Sequence, residues 1–489
     1  MVRREICSIL TPGVAGHGVV DKIYNQKDHR VICCVVEEKK NLNLNEDELF
    51  MNENEIGKKM VEGGVTEAVV IGLCIVDTVL GKFYLGEFID DDQRTGLRTQ
   101  ILRFEPTEYI LHKKALLPHT IQLLHQECPT ALMTFVDPTS SFDPSCFMKL
   151  VKEIDAFHRD DSEDDSLPSL LQCIVDKNSH PCDGFGPCLS SLYLCSSYLN
   201  RCCVASILMS QKQFYCIDNI DKQKDVLFSV LHPSEKLDQP DLSSKKKEEF
   251  SDPDRIMILD AITLKNLDIL PDPSNPTVSS LFQYVDHTVT PFGKRLLKEW
   301  LCQPLLDISA INERLDAVEE LIEKPELIQS ITSSFKSIPD IDRLLSRLHD
   351  YCTSILHKSH PDNRAQYYED KKYNSRKIKD FVQLMEAMRV VIDFTKSVTE
   401  SFNSSLLQSI FTVKPIKDTT EGQLAFPDMT EILDFFDHSF NHDLALEQGI
   451  IMPQPGVEPE LDSIKHQLTQ TQNDLDSYLE QIRSRFNCQ

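Results

Sequence analysis

Long apolar runs, chelating cysteine pairs and positive charge are all scarce in this chain. The longest apolar stretch, 68–76, covers nine of its 489 residues, whereas a membrane-spanning helix needs about twenty. The N-terminus runs through Arg3 and Arg4 into a Pro12-Gly13 turn and lacks the apolar core of a secretory signal. Sixteen cysteines are spread irregularly and no Cys-x2-Cys pair occurs, so free thiols in a reducing compartment are expected rather than a disulfide scaffold. Cys188, Cys195 and Cys202 recur every seven residues. One helix face with cysteine as a small apolar residue accounts for that spacing better than a metal site does. Lysine and arginine number 51 against 77 acids, a net charge of −26, which disfavours autonomous binding to a polyanion. A phosphate-cradling P-loop is also missing. Gly-Lys occurs at Gly57, Gly81 and Gly293, but no Ser or Thr follows and no glycine stands five positions before.

The composition that is present divides the chain. Residues 37–64 are acidic and end in Gly63-Gly64, the pattern of a solvated insert or linker. Two β-branched apolar runs flank residues 78–82 and predict a hairpin. Helix-like segments at 94–104 and 115–126 then alternate with strand-like segments at 106–112 and 131–137, giving a mixed α/β domain over 65–215. The stretch 155–166 holds six acids and one arginine and is expected to be a surface loop. A polar, charged loop occupies 216–254, and 255–489 is predominantly helical, broken near 270–277, 358–364 and 452–460. At its end Leu461, Ile464, Leu468, Thr471, Leu475, Tyr478 and Ile482 alternate steps of three and four, a heptad seam that needs a partner helix.

The segment 288–305, TVTPFGKRLLKEWLCQPL, poses the chemical question most directly, because Gly293-Lys294-Arg295 stands at a helix start. Thr290 can cap that helix and Pro291 suits its first position. Phe292, Leu296, Leu297, Trp300 and Leu301 predict a broad buried face with the chain's only tryptophan in the core. Lys294, Arg295 and Lys298 fall on the opposite side, and Gly293 is expected to permit close helix approach rather than to hold phosphate.

Several segments together resemble the MutS family of DNA mismatch-repair proteins: LDAITLKNLDI (259–269), SLFQYVDHTVTPFGKRLLKEWLCQPL (280–305), INERLDAVEELI (311–322) and IPDIDRLLSRL (338–348). RREICSILTPGV near the start and GVEPELDSI (456–464) are similar to further family segments, and 360–381 resembles the eukaryotic sixth-homologue branch. The resemblance implies a multidomain α/β plus all-α fold, with a ribonuclease H-like connector followed by a helical core or lever domain. Residues 1–64 would be the end of the mismatch-binding domain, a linker and the acidic insert; 65–215 the connector; 216–254 a charged loop; and 255–489 the ascending half of the lever. It also implies a middle piece of a longer protein, since the family's Phe-x-Glu mismatch motif, basic clamp and Walker motifs are not in this sequence. The intact family member would be a nuclear DNA-dependent ATPase. It would use ATP and magnesium, pair with the second MutS homologue and bind mismatched duplex DNA. For this chain itself no catalytic, cofactor-binding or metal residue is assigned, and no membrane contact.

Two other readings stay open at this point. A ribonuclease H-like domain becomes a two-metal nuclease if carboxylates converge about 4 Å around magnesium, and Asp77, Glu87 and Asp137 are the candidates. Alternatively the chain is an acidic helical scaffold that docks protein partners through its C-terminal seam. His112, His119 and His125 do not share a chelating face, and Lys245-Lys246-Lys247 runs at once into Glu248-Glu249, so both are read as surface or packing features. Asp342 and Arg343 are expected on an exposed helix face with local ion pairing.

Overall fold

A computed structural model describes residues 9, 11–14, 30–42, 66–136, 143–154, 156–157, 167–176, 180–182, 185–217, 256–271, 279–356, 370–398, 401–416 and 426–486. The chain forms two compact units, Met1–Tyr367 and Tyr368–Gln489.

The first unit begins with a six-stranded sheet. β1 (Val31–Leu42) and β2 (Thr66–Asp77) pair antiparallel along all twelve residues of each, Val31 opposite Asp77 and Leu42 opposite Thr66. β1 is a correction to the expected boundaries, because it carries Glu37 to Leu42 of the expected linker into the sheet and starts the α/β layer well before residue 65. The predicted hairpin is present between β2 and β3 (Lys82–Asp90). Asp77 Oδ1 accepts from the amides of Val79 and Leu80 at 2.9 and 3.1 Å, and Gly81 takes the left-handed conformation that closes the turn. Helix α1 (Thr95–Phe104) leads to β4 (Glu108–Leu111), and α2 (Pro118–Glu127) to β5 (Leu132–Phe135). A 3-10 turn at Pro144–Cys146 precedes α3 (Phe147–Glu153), followed by α4 (Ser169–Ile174), α5 (Gly186–Arg201), α6 (Ala205–Met209) and β6 (Phe214–Cys216). The strand order is β5-β4-β1-β2-β3-β6, with β4, β5 and β6 each parallel to the strand beside it.

The sheet is covered on both faces, which is why β2 reads as one apolar run rather than an alternating one. Ile32, Cys34, Cys74, Val76, Phe83 and Leu85 face α3 to α6. Val31, Cys33, Val35, Leu73 and Ile75 face α1 and α2. α5 crosses the sheet so closely that a methyl group on Gly72 would lie 2.0 Å from the Pro187 carbonyl carbon. At the same point the buried Glu87 side chain accepts from the Cys188 amide at 2.9 Å, satisfying one of the amides of the N-terminal turn of α5. Cys188, Cys195 and Cys202 lie along the sheet-facing side of this helix, all buried, as the seven-residue spacing anticipates. Burial pushes the Cys34 and Cys74 thiols up, so they remain neutral against Cys195.

The helical part of this unit comprises α7 (Ala261–Asn266), α8 (Leu281–Val285), α9 (Pro291–Cys302), α10 (Ile308–Glu323), α11 (Pro325–Phe335) and α12 (Ile341–Leu356). Leu264, Ile269 and Cys302 form a small core backed by Leu259, Leu270 and Leu301. Caps define the starts. Ser280 and Gln283 form a capping box, Asp307 accepts from Ala310, and Thr290 accepts from the Gly293 amide at 3.3 Å.

Two expectations for α9 are corrected here. Trp300 and Leu296 remain 43% and 47% exposed, and the Arg314 guanidinium lies 3.8 Å from the Trp300 ring centroid, a cation–π contact in place of core packing. Gly293 does not admit a second helix. A Cβ there would meet the Thr290 hydroxyl at 2.7 Å, so the missing side chain makes room for the helix's own cap.

In the second unit α13 (Asp370–Val398) is the central element, followed by α14 (Ser405–Ile410), β7 (Val413–Pro415), β8 (Phe426–Asp428), α15 (Thr430–Ser439), α16 (His442–Gln448) and α17 (Pro459–Phe486). Ile378, Val382, Met385 and Ile392 of α13 pack against Leu433, Phe440 and Ala445. Arg389 pairs with Asp434 and Asp437 across this contact. The predicted C-terminal seam lies on one continuous helix. Ile464, Leu468, Leu475, Tyr478 and Ile482 are 39–65% exposed. No described helix is long and apolar enough to cross a membrane.

Candidate functional site: a polar seam between sheet and helices

Two of the three carboxylates weighed for metal catalysis have structural roles. Asp77 closes the hairpin turn, and Glu87 is buried beneath the α5 N-terminus. Asp137 lies outside the described residues. Among the described residues no group of three or more His, Cys, Asp or Glu is placed to hold a metal ion. His112 is buried, and its Nδ1 accepts from the Lys114 amide at 3.3 Å. His119 and His125 are exposed. Lys245-Lys246-Lys247 lies outside the described residues.

Two acids that the sequence reading passed over matter more. Glu37 on β1 pairs with Arg94 at 2.9 Å, both side chains almost wholly buried, and also accepts from the Leu117 amide and the Thr120 hydroxyl. Glu108 on β4 is fully buried and accepts from Thr11 Oγ1, the Gly13 amide, Thr134 Oγ1 and Tyr198 OH. Neither is visible as a motif, because their partners stand 26 to 97 residues away in the chain.

Between the sheet layer and the helices that follow lies a seam fastened by polar groups. The Thr99 hydroxyl of α1 accepts from the Ala261 amide at the start of α7, at 2.9 Å. Glu127 of α2, ion-paired with Arg98 of α1 at 3.0 Å, accepts from Lys265 of α7 at 2.6 Å. Lys298 of α9 reaches Glu105 at 3.0 Å. On the far side of the sheet layer Gln211 Nε2 donates to Ser346 Oγ at 3.0 Å, and Ser210 Oγ lies 3.0 Å from His349 Nε2. The apolar clusters at the sheet and the Leu264–Ile269–Cys302 cluster lie to either side. A joint built from hydrogen bonds and ion pairs tolerates relative movement better than interlocked apolar side chains do.

The three cations of α9 are all engaged. Lys294 pairs with Asp286 at 2.6 Å, whose carboxyl the Lys294 and Thr288 hydrogen bonds hold down to about 2. Arg295 pairs with Asp340 and Asp342, and Lys298 with Glu105. Arg343 pairs with Asp340 one turn away, as expected, but the partner of Asp342 is the distant Arg295. Gly-Lys-Arg is therefore an ionic anchor and not a phosphate cradle.

Comparison with known proteins agrees with these two layers. Residues 60–144 match the family model for MutS domain II, and residues 262–487 that for MutS domain III. The first match falls on the sheet layer and the second runs from α7 to the end of α17. The DNA mismatch repair protein Msh6 of Gallus gallus is 30% identical over 99% of this chain and 34% of its own length. The Homo sapiens protein of the same name is 30% identical over 100% and 34%. The probable DNA mismatch repair protein Msh6 of Drosophila melanogaster is 30% identical over 85% and 33%. The chain thus spans about a third of the length of these curated relatives. With domains II and III in sequence and Msh6 relatives aligned along nearly its whole length, the chain belongs to the MutS family.

Proposed function

We propose that this chain is the connector and lever-core portion of an Msh6-type subunit acting in DNA mismatch repair in the nucleus. The observation that supports it most is the polar seam, which joins a domain II sheet layer to the first helices of domain III. In the intact protein these layers would stand between the part that grips mismatched DNA and an ATPase that uses ATP and magnesium. Their role would be to carry the state of one to the other, in a heterodimer with the second MutS homologue. The order β5-β4-β1-β2-β3, with β4 and β5 parallel to β1, supports the ribonuclease H-like reading of the layer. The chain's own residues contribute support and coupling rather than chemistry. With a net charge of −26, it is expected to bind duplex DNA weakly and only at low salt.

One assay tests this. The purified chain is incubated with magnesium, ATP and a mismatched duplex, and both ADP and DNA length are read. Neither ADP release nor strand cleavage is expected. ATP turnover that follows the chain through purification would overturn the coupling reading. Cleavage abolished by Glu87→Gln would favour the nuclease.

A further inference from the structure

We propose that the Glu108 carboxylate is a mechanical joint that fastens residues 11–14 to α5, and that α5 and α6 pass a displacement of that segment on to α12. The inference deepens the coupling role proposed above and rests on it.

A carboxylate offers about four acceptor positions, and Glu108 fills them with donors from three other pieces of chain. Thr11 Oγ1 and the Gly13 amide bind Oε2, while Thr134 Oγ1 and Tyr198 OH bind Oε1 at 2.7 Å each. Residues 11–14 are gripped from the other side as well. Arg30 Nη1 donates to the Val14 and Thr11 carbonyls, and Thr78 Oγ1 donates to the Gly13 carbonyl at 2.7 Å. Only glycine fits at position 13, since a Cβ would lie 2.6 Å from Ile32 and 2.8 Å from the Glu108 Cβ. The Ile9 amide adds a hydrogen bond to the Cys202 carbonyl, just past the end of α5. A shift of residues 11–14 is therefore felt directly by the last turns of α5.

The other end of α5 is fixed. Its first turn rests on Gly72 in β2 and on the Glu87 carboxylate, so α5 is anchored there and takes up a displacement nearer its C-terminus. Beyond α5, the Val204 amide returns to the Leu199 carbonyl and ties α6 to it. α6 leads to Ser210 and Gln211, which contact His349 and Ser346 of α12. The Gln211 carboxamide is seated over the hairpin at Gly81, where a Cβ would be 2.2 Å from its oxygen. Packed side chains and hydrogen-bond networks carry coupling between distant sites, and each link from Thr11 to α12 is present.

Hydrogen exchange on the full 489-residue chain tests the joint without DNA or ATP. Its failure would therefore leave the repair role standing, and failure of the repair role would leave the joint. Thr11→Val removes one donor to Glu108 and is expected to speed exchange about fivefold at residues 11–14 and also in α12. Thr134→Val removes another donor to the same carboxylate but lies on an edge strand off this route, and its effect should stay in β5. In a Ser210→Ala/Gln211→Ala background the reach of Thr11→Val into α12 should vanish, a coupling that a purely local role would not produce. The proposal is overturned if the Thr11→Val effect stops at α5, if Thr134→Val reaches α12 equally, or if the reach survives loss of Ser210 and Gln211. Glu108→Gln preserves the side-chain shape and serves as the second variant; faster exchange at both 11–14 and α12 supports the joint, and unchanged α12 sinks it.

Discussion

Arg295 grips both carboxylate oxygens of Asp340 across 45 residues of chain, with Nη1 and Nη2 each at 2.8 Å, and shares Nη2 with Asp342. This planar fork cannot be reproduced by an ammonium group. Arg295→Lys is expected to cost about 1 kcal/mol, a modest value because the pair is only partly buried. Urea denaturation of the two proteins checks it.

The same pair carries a pH dependence. Burial pushes the Asp340 carboxyl up, but the hydrogen bonds and charge of Arg295 outweigh it and hold the group below its ordinary value. The stabilisation is complete above the unfolded carboxyl pKa of about 3.9 and is lost as pH falls through the lower folded value. The difference in stability between wild type and Arg295→Met should shrink as pH drops below about 4. Thermal melts between pH 3 and pH 7 measure that difference, and a gap that widened toward acid would contradict the assignment.

Glu37→Gln is expected to be far more damaging. It leaves the Arg94 guanidinium buried without its counter-charge, a change that costs about 3–5 kcal/mol in comparable settings. Arg94 also holds a left-handed backbone with φ of 55° at the start of α1, a conformation the ion pair helps to hold in place. A Glu37→Gln/Arg94→Met double variant should recover part of the loss, and chemical denaturation of all four proteins gives the coupling energy.

Glu37 also shows where the sequence was silent. The hairpin at Asp77–Lys82 was legible because turn chemistry is local, and the caps at Thr290 and Pro291 were legible for the same reason. β1 was hidden because Glu37, Glu38, Lys39 and Lys40 read as solvated, although Glu37 is neutralised by an arginine 57 residues later. Trp300 failed in the opposite direction. Its spacing announced a buried stripe, yet the face it shares with Leu296 is covered only in part within this chain, by Arg314 among others. Periodicity records that a face is apolar, not what lies against it. The polar seam had no local signature, since every bond that crosses it from the sheet layer to the helices joins residues more than a hundred positions apart.

Gly72 and Gly186 make a matched pair of tests on one helix contact. Alanine at 72 would drive a methyl into the Pro187 backbone, which cannot rotate away as a side chain would. A loss above about 3 kcal/mol is expected. Alanine at 186 meets nothing within 4 Å and should change stability by less than about 0.5 kcal/mol. Circular dichroism melts of the two variants distinguish a contact-specific effect from general intolerance of the segment.

The α17 seam can be separated from folding in the same way. Leu468 and Leu475 are 65% and 56% exposed, so Leu468→Asp/Leu475→Asp should leave the unfolding free energy within about 0.5 kcal/mol of wild type. If the seam docks helices, wild-type chain should associate with rising concentration and the double variant should not. Sedimentation velocity across a concentration series reads both.

The hydrogen bond from the Ala261 amide to Thr99 bears on where this chain can be cut. A helix begins with amides that have no partner of their own, and α7 satisfies its first one with a hydroxyl that belongs to the sheet layer. The charged stretch between residues 217 and 256 looks like the natural place for scissors, yet a helical piece released there would keep its Asp260 cap on Thr263 and lose the partner of the Ala261 amide. The sheet layer acts as a template for the helices that follow it, and a faithful dissection would have to carry α1 along.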